Sequence, residues 1–144
     1  MEQSVIISIQ GDQKDPVGEI EKIELVTTGQ LTKAENGSLH LTYEESQLTG
    51  LEGTTTTFQV SADQIIMVRK GTLNAEMIFR EGERHMSLYD TAYGGLMIGI
   101  NTQRAKANIS QTGGTLELQY NIEAENAVVS ENTFLIEVRP AASV

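Results

Sequence analysis

The chain has 144 residues, 39% hydrophobic and 21% charged, a balance that supports one folded domain (1–144) with a sizeable core and excludes disorder. Its formal net charge of −10 and pI near 4.6 disfavour sequence-independent nucleic-acid binding and anionic membranes, both of which call for a cationic surface. With no cysteine, disulfides, thiolate chemistry and cysteine-based zinc sites are excluded.

The opening stretch, Met1 to Gln10, lacks both a basic lead and a long apolar core, so no signal peptide is expected. The longest strictly apolar run, Ile65-Ile-Met-Val68, is far too short for a membrane helix, and a cytoplasmic location is the expectation. Val5, Ile7 and Ile9 alternate with more polar neighbours in a first strand, ended by Gly11 and Asp15-Pro16. Glu19 to Thr32 reads as a long second strand, although Glu21, Lys22 and Glu24 also suit a helix start. Asn36-Gly37 is a type I′ hairpin signal, because both residues tolerate positive φ.

Ser38 to Glu45 puts Leu39, Leu41 and Tyr43 on one face and His40, Thr42 and Glu44 on the other. After the loop Gly50-Leu-Glu-Gly53, four threonines open the strand Thr54 to Val60, a composition that favours extended over helical backbone. Ile65 to Lys70, Ala75 to Arg80 and Arg84 to Tyr89 follow, separated by turns at Asp63, Gly71 and Gly82. Tyr89 to Thr102 reads as one long strand bent by a bulge at Gly94-Gly95, with Tyr89, Thr91 and Tyr93 continuing onto the side of Leu96, Ile98 and Ile100. Gly113-Gly114 joins Arg104–Ser110 to Thr115–Ile122, with a helix over Gln103–Ser110 as the rival reading because Arg-Ala-Lys-Ala favours helix. Val128 to Val138 is the last strand, followed by Pro140 and a small-residue tail.

Eight to ten strands joined by short turns, with no amphipathic stripe of helical period, predict an all-β meander able to close on itself. Closure needs the first strand beside a late one, and Thr133 to Val138 is the expected partner.

The segments Leu41-Thr-Tyr-Glu-Glu45, Gly50-Leu-Glu-Gly-Thr-Thr-Thr-Thr57, Met67-Val-Arg-Lys-Gly71, Tyr89-Asp-Thr-Ala-Tyr-Gly94, Ile100-Asn-Thr102, Gly113-Gly-Thr-Leu-Glu-Leu-Gln-Tyr120 and Glu131-Asn-Thr-Phe134 resemble the YwiB-like proteins. This is a bacterial family of unknown function, and the resemblance covers nearly the whole chain. It implies a single antiparallel, mostly up-and-down, calycin-like β-barrel of lipocalin type. The Gly-x-Trp signature of true lipocalins is absent, since the chain has no tryptophan.

A barrel of this size either fills with its own side chains or holds one small ligand. The candidate lumen residues are Tyr43, Arg69, Met77, Phe79, Tyr89, Thr91, Tyr93 and Tyr120. An apolar wall with a few hydroxyls and one guanidinium suits a small, partly apolar molecule, a carboxylate in particular. The rival reading is a non-catalytic interaction module with a filled core, acting through its acidic surface or an edge strand. An inward Arg69 needs a partner, Glu44 or Glu45 being nearest, because an unpaired buried charge is costly.

No catalytic constellation is recognisable, and no metal or cofactor is expected. His40 and His85 are too few for an all-histidine site. Strand alternation puts His85 and Ser87 opposite Asp90, against a triad, and Glu44 opposite Glu45, against an acid–base pair. The expected state is a monomer or an edge-strand homodimer, without nucleic-acid or membrane partners.

Overall fold

Ten antiparallel strands run in chain order around a closed barrel, and the ring is completed where the first strand pairs with the last. The structure, a computed structural model, describes residues 2–141; Met1 and the end of the small-residue tail, 142–144, lie outside the described residues. The strands are β1 (Glu2–Lys14), β2 (Ile20–Lys33), β3 (Leu39–Glu44), β4 (Thr54–Val60), β5 (Ile65–Gly71), β6 (Asn74–Phe79), β7 (Arg84–Thr91), β8 (Gly94–Ser110), β9 (Gly113–Ala124) and β10 (Ala127–Pro140). One short 3-10 turn, Gln47–Thr49, interrupts the β3–β4 connection. Closure falls where expected: Ile7 opposes Val138 and Ile9 opposes Ile136.

Alternation sorts each strand into a lumen face and a solvent face. Val5, Ile7 and Ile9 of β1 are buried, as are Leu39, Leu41 and Tyr43 of β3 and Thr54, Thr56, Phe58 and Val60 of β4. Each apolar side chain removed from water contributes about 1.5–3 kcal/mol, so the inward phase of every strand is strongly specified. At the end carrying Leu39, Val60, Ile65 and Phe79, which sit side by side in register, all four side chains are buried in the core. We call this the lower end.

The structure corrects two expectations. Tyr89 to Thr102 is not one bent strand: Ala92-Tyr93 is a two-residue hairpin turn between β7 and β8. Gly94 takes φ 120° just after it, where a side chain is strained, so the paired glycines end a turn instead of curving a wall. Tyr89 still shares a face with Leu96, its direct cross-strand partner, but the turn and not a bulge sets that phase. The bulge of β8 lies instead between Thr102 and Arg104.

Gln103–Ser110 is strand throughout, as read for Arg104–Ser110, and the rival helix does not form. Pairing with β9 from Arg104↔Gln119 to Ser110↔Gly113 overrides the local helical preference. Glu81 secures this half of β8, accepting from the Ala105 N–H at 3.1 Å and from Lys106 Nζ at 3.0 Å. Second, Gly11 does not end the first strand: β1 continues to Lys14 and stops at Asp15-Pro16, and the ring of Phe134 occupies the space that a Cβ on Gly11 would need.

β2 is strand from its first residue, and β1 matches it over nearly its whole length. On its other side β3 reaches only Gln30–Lys33. Gly29 stands where the two part. A Cβ there would collide with the carbonyl oxygen of Thr42 and lie 2.7 Å from Ile7 Cδ1, so glycine lets β3 approach that closely.

Candidate functional site

The upper lumen is built from neighbouring positions in register. Tyr43, Thr56, Arg69, Ala75, Tyr89 and Leu96 stand side by side across β3 to β8, and Thr102, Tyr120, Asn132 and Gln13 do the same across β8, β9, β10 and β1. These rows form an interrupted polar belt. Below it Leu41, Phe58, Met67 and Met77 make an apolar row. A cavity of about 130 Å³ lies between them, with Arg69, Gln13 and three tyrosines toward its polar side and Phe58, Met67, Met77 and Ile136 on its apolar side.

The charged part of the belt rests on Glu45, whose side chain is 1% exposed. Thr56 Oγ1 donates to Glu45 Oε2 at 2.6 Å, and Arg69 Nε donates to the same hydroxyl at 3.4 Å. Arg69 Nη2 lies 3.8 Å from Glu45 Oε2, beyond the ~2.7–2.9 Å typical of a tight charged hydrogen bond. The guanidinium is therefore incompletely satisfied. Glu44, on the opposite face, accepts from the Thr55 hydroxyl at 2.9 Å, so the two carboxylates serve different faces.

The Tyr43 and Tyr120 hydroxyls are held in neutral form. Burial pushes Tyr120 up to about 12, opposed by the Arg69 charge. Burial, then the Glu45 carboxylate, also raise Tyr43 well above the ordinary phenol range. The Tyr120 hydroxyl makes no hydrogen bond to any described residue. Three buried polar atoms likewise lack a partner there: Glu45 Oε1, Thr102 Oγ1 and Asn132 Oδ1. The ring of Tyr120 is fixed by Phe79, with centroids 4.6 Å apart, and by Phe134 at 6.4 Å.

Of the residues singled out in the sequence, Tyr43, Arg69, Met77, Tyr89 and Tyr120 line this cavity. Phe79 is fully buried but lies beneath it, buttressing Tyr120. Tyr93 is wrongly placed by the sequence reading: it sits in the β7–β8 turn and is fully exposed. Thr91 ends β7 beside that turn, its hydroxyl donating to the Gly94 carbonyl at 3.0 Å and accepting from the Tyr93 N–H at 3.1 Å, so it caps the hairpin and does not line the cavity.

Sequence reasoning misses Gln13, Thr102 and Asn132. The available signal is a polar residue in an inward series: Thr102 follows Ile98 and Ile100, and Asn132 precedes Phe134, Ile136 and Val138. Ser87 is buried but donates to the Glu76 carbonyl at 2.6 Å, and His85 meets Glu83 at 3.1 Å, so neither approaches a triad. Among the described residues no group of three or more His, Asp or Glu side chains is arranged to hold a metal ion, and no helix is long and apolar enough to cross a membrane.

This architecture, a closed antiparallel meander with a small internal cavity, defines a calycin-like β-barrel. The chain belongs to the family described as a domain of unknown function, DUF1934, whose profile matches residues 7–136. It is similar in fold to the ywiB protein from Bacillus subtilis, known from a crystal structure. The TM-score is 0.86 at 19% identity over 98% of this chain and 94% of the other. No curated protein matches the chain.

Proposed function

We propose that the barrel binds a small, partly apolar molecule with an anionic or strongly accepting head, such as a short carboxylate. This reading is carried by the incompletely satisfied Arg69 guanidinium beside the unpartnered Tyr120 hydroxyl, both facing one cavity with a Phe58, Met67 and Met77 floor. Donors at one end and thioether and ring surfaces at the other select an amphipathic molecule. Size limits it further. About 130 Å³ is below the ~300–1,000 Å³ of drug-sized sites and close to the ~150 Å³ of a cavity that holds benzene.

The small volume also supports a second reading, a filled-core interaction module acting through its acidic surface. Native mass spectrometry of the purified protein, followed by calorimetric titration with benzoate and short aliphatic carboxylates, separates the two. Binding should be lost in a Glu45→Gln/Arg69→Met double variant that removes both charges and keeps the core covered. Met77→Phe should block binding by filling the space. Absence of any retained mass or titration heat, together with a lower melting temperature for Met77→Phe, as expected where a larger side chain is forced into a packed interior, would favour the filled-core reading instead.

A further inference from the structure

The strand β2 is paired to β1 from Ile20 to Thr32, but β3 covers only its last four positions, Gln30 to Lys33. Over Ile20–Gly29 the backbone groups that point away from β1 therefore have no sheet partner among the described residues. Such an edge is a template for another strand. We propose that its occupant is the same edge of a second copy of this chain, the two β2 strands pairing antiparallel across a two-fold axis at Ile23.

Register selects that axis. A two-fold axis perpendicular to the sheet keeps the lumen and solvent faces continuous between copies, so the axis must pass through a residue position. Ile20, Lys22, Glu24 and Val26 share the solvent face, opposite the half-buried Ile23 and Leu25. An axis at Lys22 sets lysine against lysine, and one at Glu24 sets glutamate against glutamate. An axis at Leu25 sets Glu24 against Val26 and drives Ile20 onto Gln30, whose edge β3 already occupies.

Only the axis at Ile23 opposes Lys22 to Glu24, twice by symmetry. The same register opposes Ile20 to Val26, also twice, covering two large apolar side chains that are 58% and 67% exposed in the single chain. On the lumen side Ile23 meets its own copy, and Glu21, exposed in the single chain, stands opposite the half-buried Leu25. Direct cross-strand pairs of opposite charge and of apolar residues stabilise a sheet, whereas like charges in those positions oppose it. The short shared edge implies a concentration-dependent dimer.

Analytical ultracentrifugation over a dilution series tests this. The expected result is a mass rising with concentration from 15.7 kDa toward twice that value. Lys22→Glu alone and Glu24→Lys alone should each weaken association at least ~10-fold, since each creates two like-charge pairs. The charge-swapped double variant Lys22→Glu/Glu24→Lys should restore it. Circular dichroism of the three variants should match the parent, because these side chains are exposed. A parent that stays at 15.7 kDa throughout, or a dimer indifferent to the single reversals, overturns the proposal. So does a double variant that fails to recover.

Discussion

Glu45 and Arg69 are joined through a third group: Thr56 donates to Glu45 Oε2 at 2.6 Å while accepting from Arg69 Nε at 3.4 Å. This bridge accounts for a carboxylate almost completely removed from water inside a barrel. It also gives Arg69 two roles, counter-charge for Glu45 and polar wall of the cavity.

Arg69→Ala should therefore be destabilising. It strips the nearest cation from a Glu45 side chain that is 1% exposed and whose Oε1 already lacks a partner. Breaking a buried pair by removing one member costs about 3–5 kcal/mol. Because Arg69 is 19% exposed and its contact is long, about 2 kcal/mol is the expected loss. Urea denaturation should show a lower midpoint with an unchanged slope. The double variant Glu45→Gln/Arg69→Met should be milder than Arg69→Ala, since no uncompensated charge is left.

Gly29→Ala should loosen the junction of β2 and β3. The added methyl meets the Thr42 carbonyl and Ile7 together, and neither backbone nor core can yield freely. A loss of about 1–3 kcal/mol is expected from overpacking of this kind. Thermal unfolding reads the loss, and faster amide exchange in β3 locates it.

Alkaline pH should weaken the fold through Tyr43 and Tyr120. Both are raised above the ordinary phenol value of 10.0, Tyr120 to about 12. A raised folded-state pKa means the unfolded chain releases its proton first. The stabilisation is therefore complete below pH about 10 and is lost as pH climbs toward about 12. Urea midpoints across this interval should fall steadily, and phenolate absorbance from these two rings should lag behind that of free tyrosine.

Tyr93→Ser should change little. The ring is fully exposed in a turn, and the turn's hydrogen bonds use the Thr91 hydroxyl and backbone groups. Stability should stay within about 0.5 kcal/mol of the parent. An effect on lumen binding would place this ring near the cavity, contrary to the structure.

Strand identity and barrel closure are legible because alternation of Val5, Ile7 and Ile9 or of Phe134, Ile136 and Val138 admits one inward phase. An acidic partner for an inward Arg69 follows from charge, with Glu44 and Glu45 as the candidates; the structure selects Glu45, just past the end of β3 and reached across Thr56 of the intervening β4. Tyr93 is misplaced because paired glycines after an aromatic run fit either a bulge or a hairpin end. Local composition does not distinguish the two; the pairing of Thr91 with Gly94 does. The polar belt is hidden for a related reason. Thr102, Tyr120, Asn132 and Gln13 are scattered along the chain and become neighbours only through registers that no short segment encodes.

The seam between β1 and β10 carries a consequence for biosynthesis. Every other wall of the barrel can assemble as its hairpin leaves the ribosome, but Val5 to Lys14 must wait for Glu131 to Pro140, the last stretch of the ring to be made. Until then the nascent protein is an open sheet with its greasy concave side uncovered, so a truncation before β10 should yield a sticky, chaperone-dependent ribbon and not a smaller barrel.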